Sequence, residues 1–127
     1  VTSYVLDSSA VLAFLENEPG AAIVLSILRS SYISTVNLAE VYSKLIERGD
    51  PGLQAFSIVR SAIGQVMPFT EQMAEASGEL RPLTRHLGLS LGDRACLALA
   101  MALNAEVYTA DRIWAELQLP CTIKVIR

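Results

Sequence analysis

Histidine occurs once in this chain, as His86, and cysteine twice, as Cys96 and Cys121. A lone imidazole argues against a metal-free nuclease that works with paired histidines, and His86, close to the breaker Gly88, reads as a surface residue. Two cysteines without CxxC spacing make neither a disulfide scaffold nor a zinc knuckle, so both thiols are expected reduced and buried. No GxxxxGK[ST] and no strand-coupled GxGxxG is present, which removes phosphate cradling by a glycine-rich loop. Long apolar runs are missing too: Ala95–Leu103 is the richest, far short of the roughly 20 residues that cross a bilayer. No basic segment leads into a signal-like stretch, so a soluble, cytoplasmic protein is expected, with no membrane partner. Excess basic charge is also lacking. With Lys+Arg 10 against Asp+Glu 13 the net charge is −3, and nucleic-acid binding through a broad basic surface is not suggested. A bound metal ion could still supply positive charge locally.

What remains is ample material for a core. Hydrophobic residues make up 52% of 127 positions, enough for one domain spanning residues 1–127. Short segments rich in β-branched and aromatic residues read as strands: Tyr4–Leu6, Tyr32–Val36, Val66–Phe69, Glu106–Thr109 and Thr122–Ile126. Helical periodicity fills the intervals: Ser8–Leu15, Ala21–Arg29, Leu38–Arg48 stopped by "GDPG", Gln54–Ile63, Glu71–His86 with a break at Pro82, Asp93–Leu103 and Arg112–Leu117. Strands alternating with helices of this length indicate parallel βαβ units. The expected fold class is α/β, a three-layer α/β/α domain around a parallel sheet of about five short strands. Ligands of such sheets collect beyond the carboxyl ends of the strands, where the strand order reverses.

Most of the acids have ordinary surroundings: Glu47, Glu71, Glu75, Glu79 and Glu116 lie in or beside helices among basic neighbours. Asp7, Glu40, Asp93 and Asp111 differ, because each stands at a strand-to-helix or loop-to-helix turn. Singly, each reads as a helix cap. Asp7 and Asp111 suit the N-cap position, and Asn37-x-x-Glu40 and Ser90-x-x-Asp93 fit the capping box or a close variant. Together they are harder to explain by capping, because parallel topology brings those turns to one edge, where four carboxylates repel. Mg2+ or Mn2+, which take oxygen ligands, would offset that repulsion. Glu40 is the outlier: it falls opposite the stripe Leu38, Val41, Tyr42 and Leu45, so both a site role and a solvated role stay open. Tyr32, Tyr42 and Trp114 sit at core spacing and are expected to pack rather than stack on bases.

The stretches "YVLDSSAVLAFL", "NLAEVYSKL", "LSLGDRACLALA" and "VYTADRIWAEL", in this order and spacing, resemble the PIN-domain family, and most closely its VapC-type toxins of bacterial toxin–antitoxin pairs. The resemblance spans nearly the whole chain. It implies an endoribonuclease that hydrolyses RNA phosphodiesters with a metal-activated water, Mg2+ or Mn2+ being held by Asp7, Glu40, Asp93 and Asp111. Ser9 and Thr109 match the family's hydroxyl positions and would orient a carboxylate or a water, with Asn37 as a further polar candidate. The resemblance also implies a homodimer and a cognate antitoxin that covers the acidic site. Arg81, Arg85, Arg94 and Arg112 are candidates for RNA phosphate contacts, and Arg94 and Arg112 could equally pair with the neighbouring acids.

Two other readings compete. In one, the chain is a non-catalytic PIN-like module whose acids are structural and which serves to bind a partner protein. In the other it is a Mg2+-dependent phosphotransfer domain. A DxD phosphatase is disfavoured because Ser8-Ser9 follow Asp7, and a receiver because no acidic pair precedes the first helix, although Lys124 could mimic its late lysine.

Overall fold

In the computed structural model, which describes residues 2–49 and 52–127, the two periodicities resolve into a five-stranded parallel sheet flanked by helices. The strands are β1 (Tyr4–Leu6), β2 (Ser31–Ser34), β3 (Gln65–Met67), β4 (Glu106–Thr109) and β5 (Ile123–Val125). Their spatial order is β3-β2-β1-β4-β5, and every pairing is parallel. The chain steps outward from β1 through β2 to β3, then returns to lay β4 on the other side of β1. The reversal therefore falls between β1 and β4, where Leu6 pairs with Tyr108 at the carboxyl ends of both strands.

Side chains alternate across the sheet and so fill two cores. Leu6 joins Ala10, Val11, Val24, Ile33, Val41 and Phe56 beneath helices α1 (Ser8–Leu15), α2 (Ala21–Ile27), α3 (Thr35–Arg48) and α4 (Gly52–Ala62). Its neighbour Val5 points the other way, to Cys96, Leu97, Leu99, Val107 and Trp114. That second core lies under α5 (Glu71–Glu79) and α7 (Leu91–Leu103), with α6 (Arg81–Thr84) between them in the chain. The result is the three-layer α/β/α arrangement. Among the described residues no helix is long and apolar enough to cross a membrane.

Helix boundaries depart from expectation in instructive ways. Thr35 and Val36, expected to end the second strand, instead open α3, because Ser34 caps that helix by accepting the Val36 N–H at 3.2 Å. Helix α3 thus starts three residues earlier than Leu38. Asn37 is buried within its first turn and is no cap residue, and Glu40 belongs to the second turn. Phe69 lies beyond β3. The long helix expected over Glu71–His86 ends at Glu79, and Pro82 sits in the first turn of α6, where its missing N–H costs nothing. Leu28–Ser30, Arg85–Leu87 and Arg112–Glu116 are 3-10 turns. Helix α7 begins at Leu91, capped by Ser90. Asp50 and Pro51 of the expected "GDPG" stop lie outside the described residues, as does Val1. Of the two cysteines, Cys96 is buried and Cys121 half-buried, both as free thiols.

Ser34→Ala should lower stability by about 1 kcal/mol, the usual cost of a lost N-cap. Urea denaturation measures it, and an unchanged midpoint would show that the cap of α3 lies elsewhere.

Candidate active site

Asp7 follows the last residue of β1 and caps α1, its backbone extended and its side chain 3% exposed. Oδ1 accepts the Ala10 N–H at 2.9 Å. The Ser9 hydroxyl donates to the same carboxylate at 2.8 and 2.9 Å, and the Thr109 hydroxyl donates to Oδ2 at 2.7 Å. Both hydroxyls are themselves held from behind. Ser9 Oγ accepts the Ala110 N–H at 2.9 Å, and Thr109 Oγ1 accepts the Asp111 N–H at 3.1 Å. An amide proton occupies one side of each oxygen, so each hydroxyl proton is directed at Asp7. Ser9 and Thr109, expected from sequence to orient a carboxylate or a water, are the two hydroxyls that donate to Asp7.

Every group around Asp7 is therefore a donor, and none carries a positive charge. Burial raises the Asp7 pKa to about 6 against the pull of the Ala10, Thr109 and Ser9 hydrogen bonds, and the Asp93 charge pushes the same way as burial. Asp93 is half-buried in the first turn of α7. Its Oδ2 accepts the Ser90 N–H at 2.9 Å while Ser90 Oγ accepts the Asp93 N–H at 3.2 Å, a complete capping box.

Glu40 reaches the same region despite its place one turn into α3. Oε1 accepts Ser8 Oγ–H and Asn37 Nδ2–H, each at 3.0 Å. Asn37 also donates to the Gly92 carbonyl at 3.0 Å, so it ties α3 to the start of α7. Its buried Oδ1 has no hydrogen-bond partner among the described residues. The Glu40 carboxylate lies directly on Gly92: a Cβ there would stand 2.6 Å from Oε1 and 2.5 Å from Cδ. Ser8 and Gly92 were not singled out from sequence, because their partner is more than thirty positions away and only tertiary packing brings it near.

Asp111 is exposed and caps the 3-10 turn that follows β4, accepting the Ile113 N–H at 3.1 Å. With Ser9, Ala110, Arg112 and Arg127 it lines an open cavity of about 430 Å³. Arg112 is exposed there and donates Nε–H to the Arg127 carbonyl at 3.2 Å. Arg127, also not anticipated from sequence, pairs with Glu18 at 2.9 Å. Arg94 turns away, donating to the Ser77 carbonyl of α5 at 3.0 Å. Arg81 and Arg85 are exposed, as is His86. Trp114 is fully buried, Tyr32 packs on the second core, and Tyr42 is edge-on to Phe56 with centroids 5.1 Å apart.

Asp7, Glu40 and Asp93 share one neighbourhood: their negative charges add to burial in pushing the Cys96 thiol well above its usual range. Asp111 joins them through Thr109, whose hydroxyl bridges its amide to Asp7. Among the described residues, none of the four acids lies within ion-pair distance of a Lys, Arg or His.

An α/β sheet with acids gathered at its strand-order reversal is the class that these features define. The sequence matches the PIN domain family over residues 4–118, and the chain belongs to that family. Solved structures agree on the fold. A chain of a toxin–antitoxin complex from Klebsiella pneumoniae is 20% identical with a TM-score of 0.77, the match covering 98% of each chain. A chain of VapBC2 from Rickettsia felis, bound to a DNA fragment from its promoter, is 18% identical with a TM-score of 0.75, covering 99% of this chain and 100% of that one. VapC20 of Mycobacterium tuberculosis, a sarcin-ricin loop cleaving toxin, is 19% identical with a TM-score of 0.74, over 90% of this chain and 95% of that one. No curated protein matches the sequence.

PIN nucleases are generally dependent on a divalent metal, and the residues here can be tested against one. Among the described residues, no three of Asp, Glu, His and Cys converge closely enough to enclose an ion together. Mg2+, however, is commonly held by one or two carboxylates, with waters and substrate phosphates completing its shell. A buried carboxylate surrounded only by donors, a second acid repelling it and an unpartnered amide oxygen on Asn37 suit such an ion. The donor set fits.

The raised pKa has a sign. Because Asp7 binds its proton more tightly in the folded state, its contribution is fully present below about pH 4 and is lost as the pH rises through about 6. In metal-free buffer, Asp7→Asn should therefore gain stability on wild type between pH 4 and pH 8, by up to about 3 kcal/mol at 1.36 kcal/mol per pKa unit. Denaturation of both proteins across that range tests this, and a pH-independent difference would contradict it.

Proposed function

We propose that the chain is a VapC-type endoribonuclease, residues 1–127 forming one nuclease domain, which hydrolyses RNA phosphodiester bonds with Mg2+ or Mn2+. The observation that carries the reading is the buried, donor-surrounded Asp7 carboxylate at the β1/β4 reversal, within reach of the Asp93 charge and without a basic partner among the described residues. Asp7, Glu40, Asp93 and Asp111 would hold the ion, one or two of them directly and the others through waters of its shell. Bound there, it would lower the pKa of water and neutralise charge on the phosphate.

The chain's own groups have separable tasks. Ser9 and Thr109 fix the Asp7 carboxylate and keep it an acceptor. Ser8 and Asn37 hold Glu40 by one oxygen. Asp111 stands at the open cavity, where Arg112 is placed to meet a backbone phosphate. Arg94, committed to Ser77, is less suited to that contact. A toxin of this kind would act in the cytoplasm as a homodimer and be held inactive by a cognate antitoxin. The toxin–antitoxin complexes among the structural neighbours support that partner.

The non-catalytic module has one observation in its favour, the complete capping box of Asp93, which gives that acid a structural task. Capping uses one carboxylate oxygen, however, and does not explain Asp7, whose charge burial disfavours.

Purified protein should cleave RNA with Mg2+ or Mn2+ and stop with a chelator, and Asp7→Asn and Asp93→Asn should each lose at least about 100-fold. Ser9→Ala and Thr109→Val, which remove supports of a ligand, should lose about 10–100-fold. Equal cleavage by wild type and both aspartate variants would mean a contaminating nuclease and would remove the site.

A further inference from the structure

Glu40 is held in an unusual way for a carboxylate in an acidic site. Both of its donors, Ser8 Oγ and Asn37 Nδ2, go to the same oxygen, Oε1. Among the described residues Oε2 takes part in no hydrogen bond, and the carboxylate lies over Gly92 at the start of α7. Asn37 is 1% exposed and cannot turn its amide over, since that would set its oxygen against the Gly92 carbonyl and the carboxylate. Ser8, the first residue of α1, directs its hydroxyl across to α3. Three elements thus close on one carboxylate: α1 through Ser8, α3 through Asn37 and α7 through Gly92.

We propose that Ser8 and Gly92 are positioning residues which, with Asn37, present Glu40 to a divalent ion through one oxygen only, and that this sets the ion preference of the site. The inference rests on the metal-dependent reading above. Its physical basis is the difference between the ions. Ca2+ takes six to eight oxygens and readily binds a carboxylate through both, whereas Mg2+ demands near-octahedral geometry with single oxygens and waters. With Oε1 already accepting two hydrogen bonds, Glu40 has one free oxygen to give. The clamp therefore favours a small octahedral ion and penalises Ca2+. Gly92 contributes by having no side chain, because a methyl there would overlap the carboxylate and force it to shift.

The test measures ion binding without RNA. Mn2+ affinity is read by electron paramagnetic resonance, and Ca2+ by its competition, for wild type, Ser8→Ala, Ser8→Thr and Gly92→Ala. All four are first checked for a native circular dichroism spectrum and melting profile, and Ser8→Thr keeps the hydroxyl should Gly92→Ala fail to fold. Wild type is expected to prefer Mn2+ over Ca2+, Ser8→Ala to narrow that preference by about tenfold, and Ser8→Thr to retain it, within the 10–100-fold range of groups that orient ligands. A preference unchanged in Ser8→Ala, with Mn2+ still bound, overturns the clamp and leaves the nuclease reading standing. No Mn2+ binding by wild type overturns both.

Discussion

The arrangement of the site depends on one carboxylate placed where water is scarce. Asp7 sits at the end of the central strand, between two apolar cores, and three donors from α1 and β4 close around it. Because its proton affinity is raised, keeping it charged at neutral pH costs free energy that the hydrogen bonds only partly offset. A cap alone would not need such burial. Exposed caps of Ser, Thr, Asn or Asp close helices as well. The constraint makes sense if the folded chain reserves the charge for a cation, and the other acids then follow from the same topology.

That topology also limits what the acids cost. Asp7, Asp93 and Asp111 each accept a backbone N–H at the start of a helical turn, where partial positive charge from the helix favours an anion. Glu40 has no helix end and is held by Ser8 and Asn37 instead. Capping and ion binding are thus compatible uses of one group, since a carboxylate has several acceptor sites and a cap occupies one. Strand order places these turns at one edge, and Thr109 connects the Asp7 side to the Asp111 side across the reversal.

Much of this was legible in the chain. The alternation of short β-branched segments with helical periods implied a parallel sheet with two helical layers, and the turns carrying Asp7, Asp93 and Asp111 followed from it. Thr35 and Val36 misled because their strand preference is real, and only the Ser34 cap hands them to α3. That shift also moved Glu40 a turn inward. A helical wheel gave no reason for it to approach the other acids, because a wheel describes a helix alone and not the neighbouring helix starts that its long side chain can reach. Gly92 is the same case. The Glu40 carboxylate rests on it, a contact that no local pattern encodes. Arg94 was ambiguous between RNA and a neighbouring acid, and the packing of α5 on α7 directs it to Ser77.

The claim that Asp7 is a cation ligand as well as a cap is tested most directly by following thermal unfolding at pH 7.5 against Mn2+ concentration in wild type and Asp7→Asn. A ligand that binds only the folded state stabilises it by RT ln(1 + [L]/Kd). The account predicts a wild-type midpoint that climbs with Mn2+ and an Asp7→Asn midpoint that stays flat. Equal climbs in the two proteins, or no climb in wild type, would contradict it.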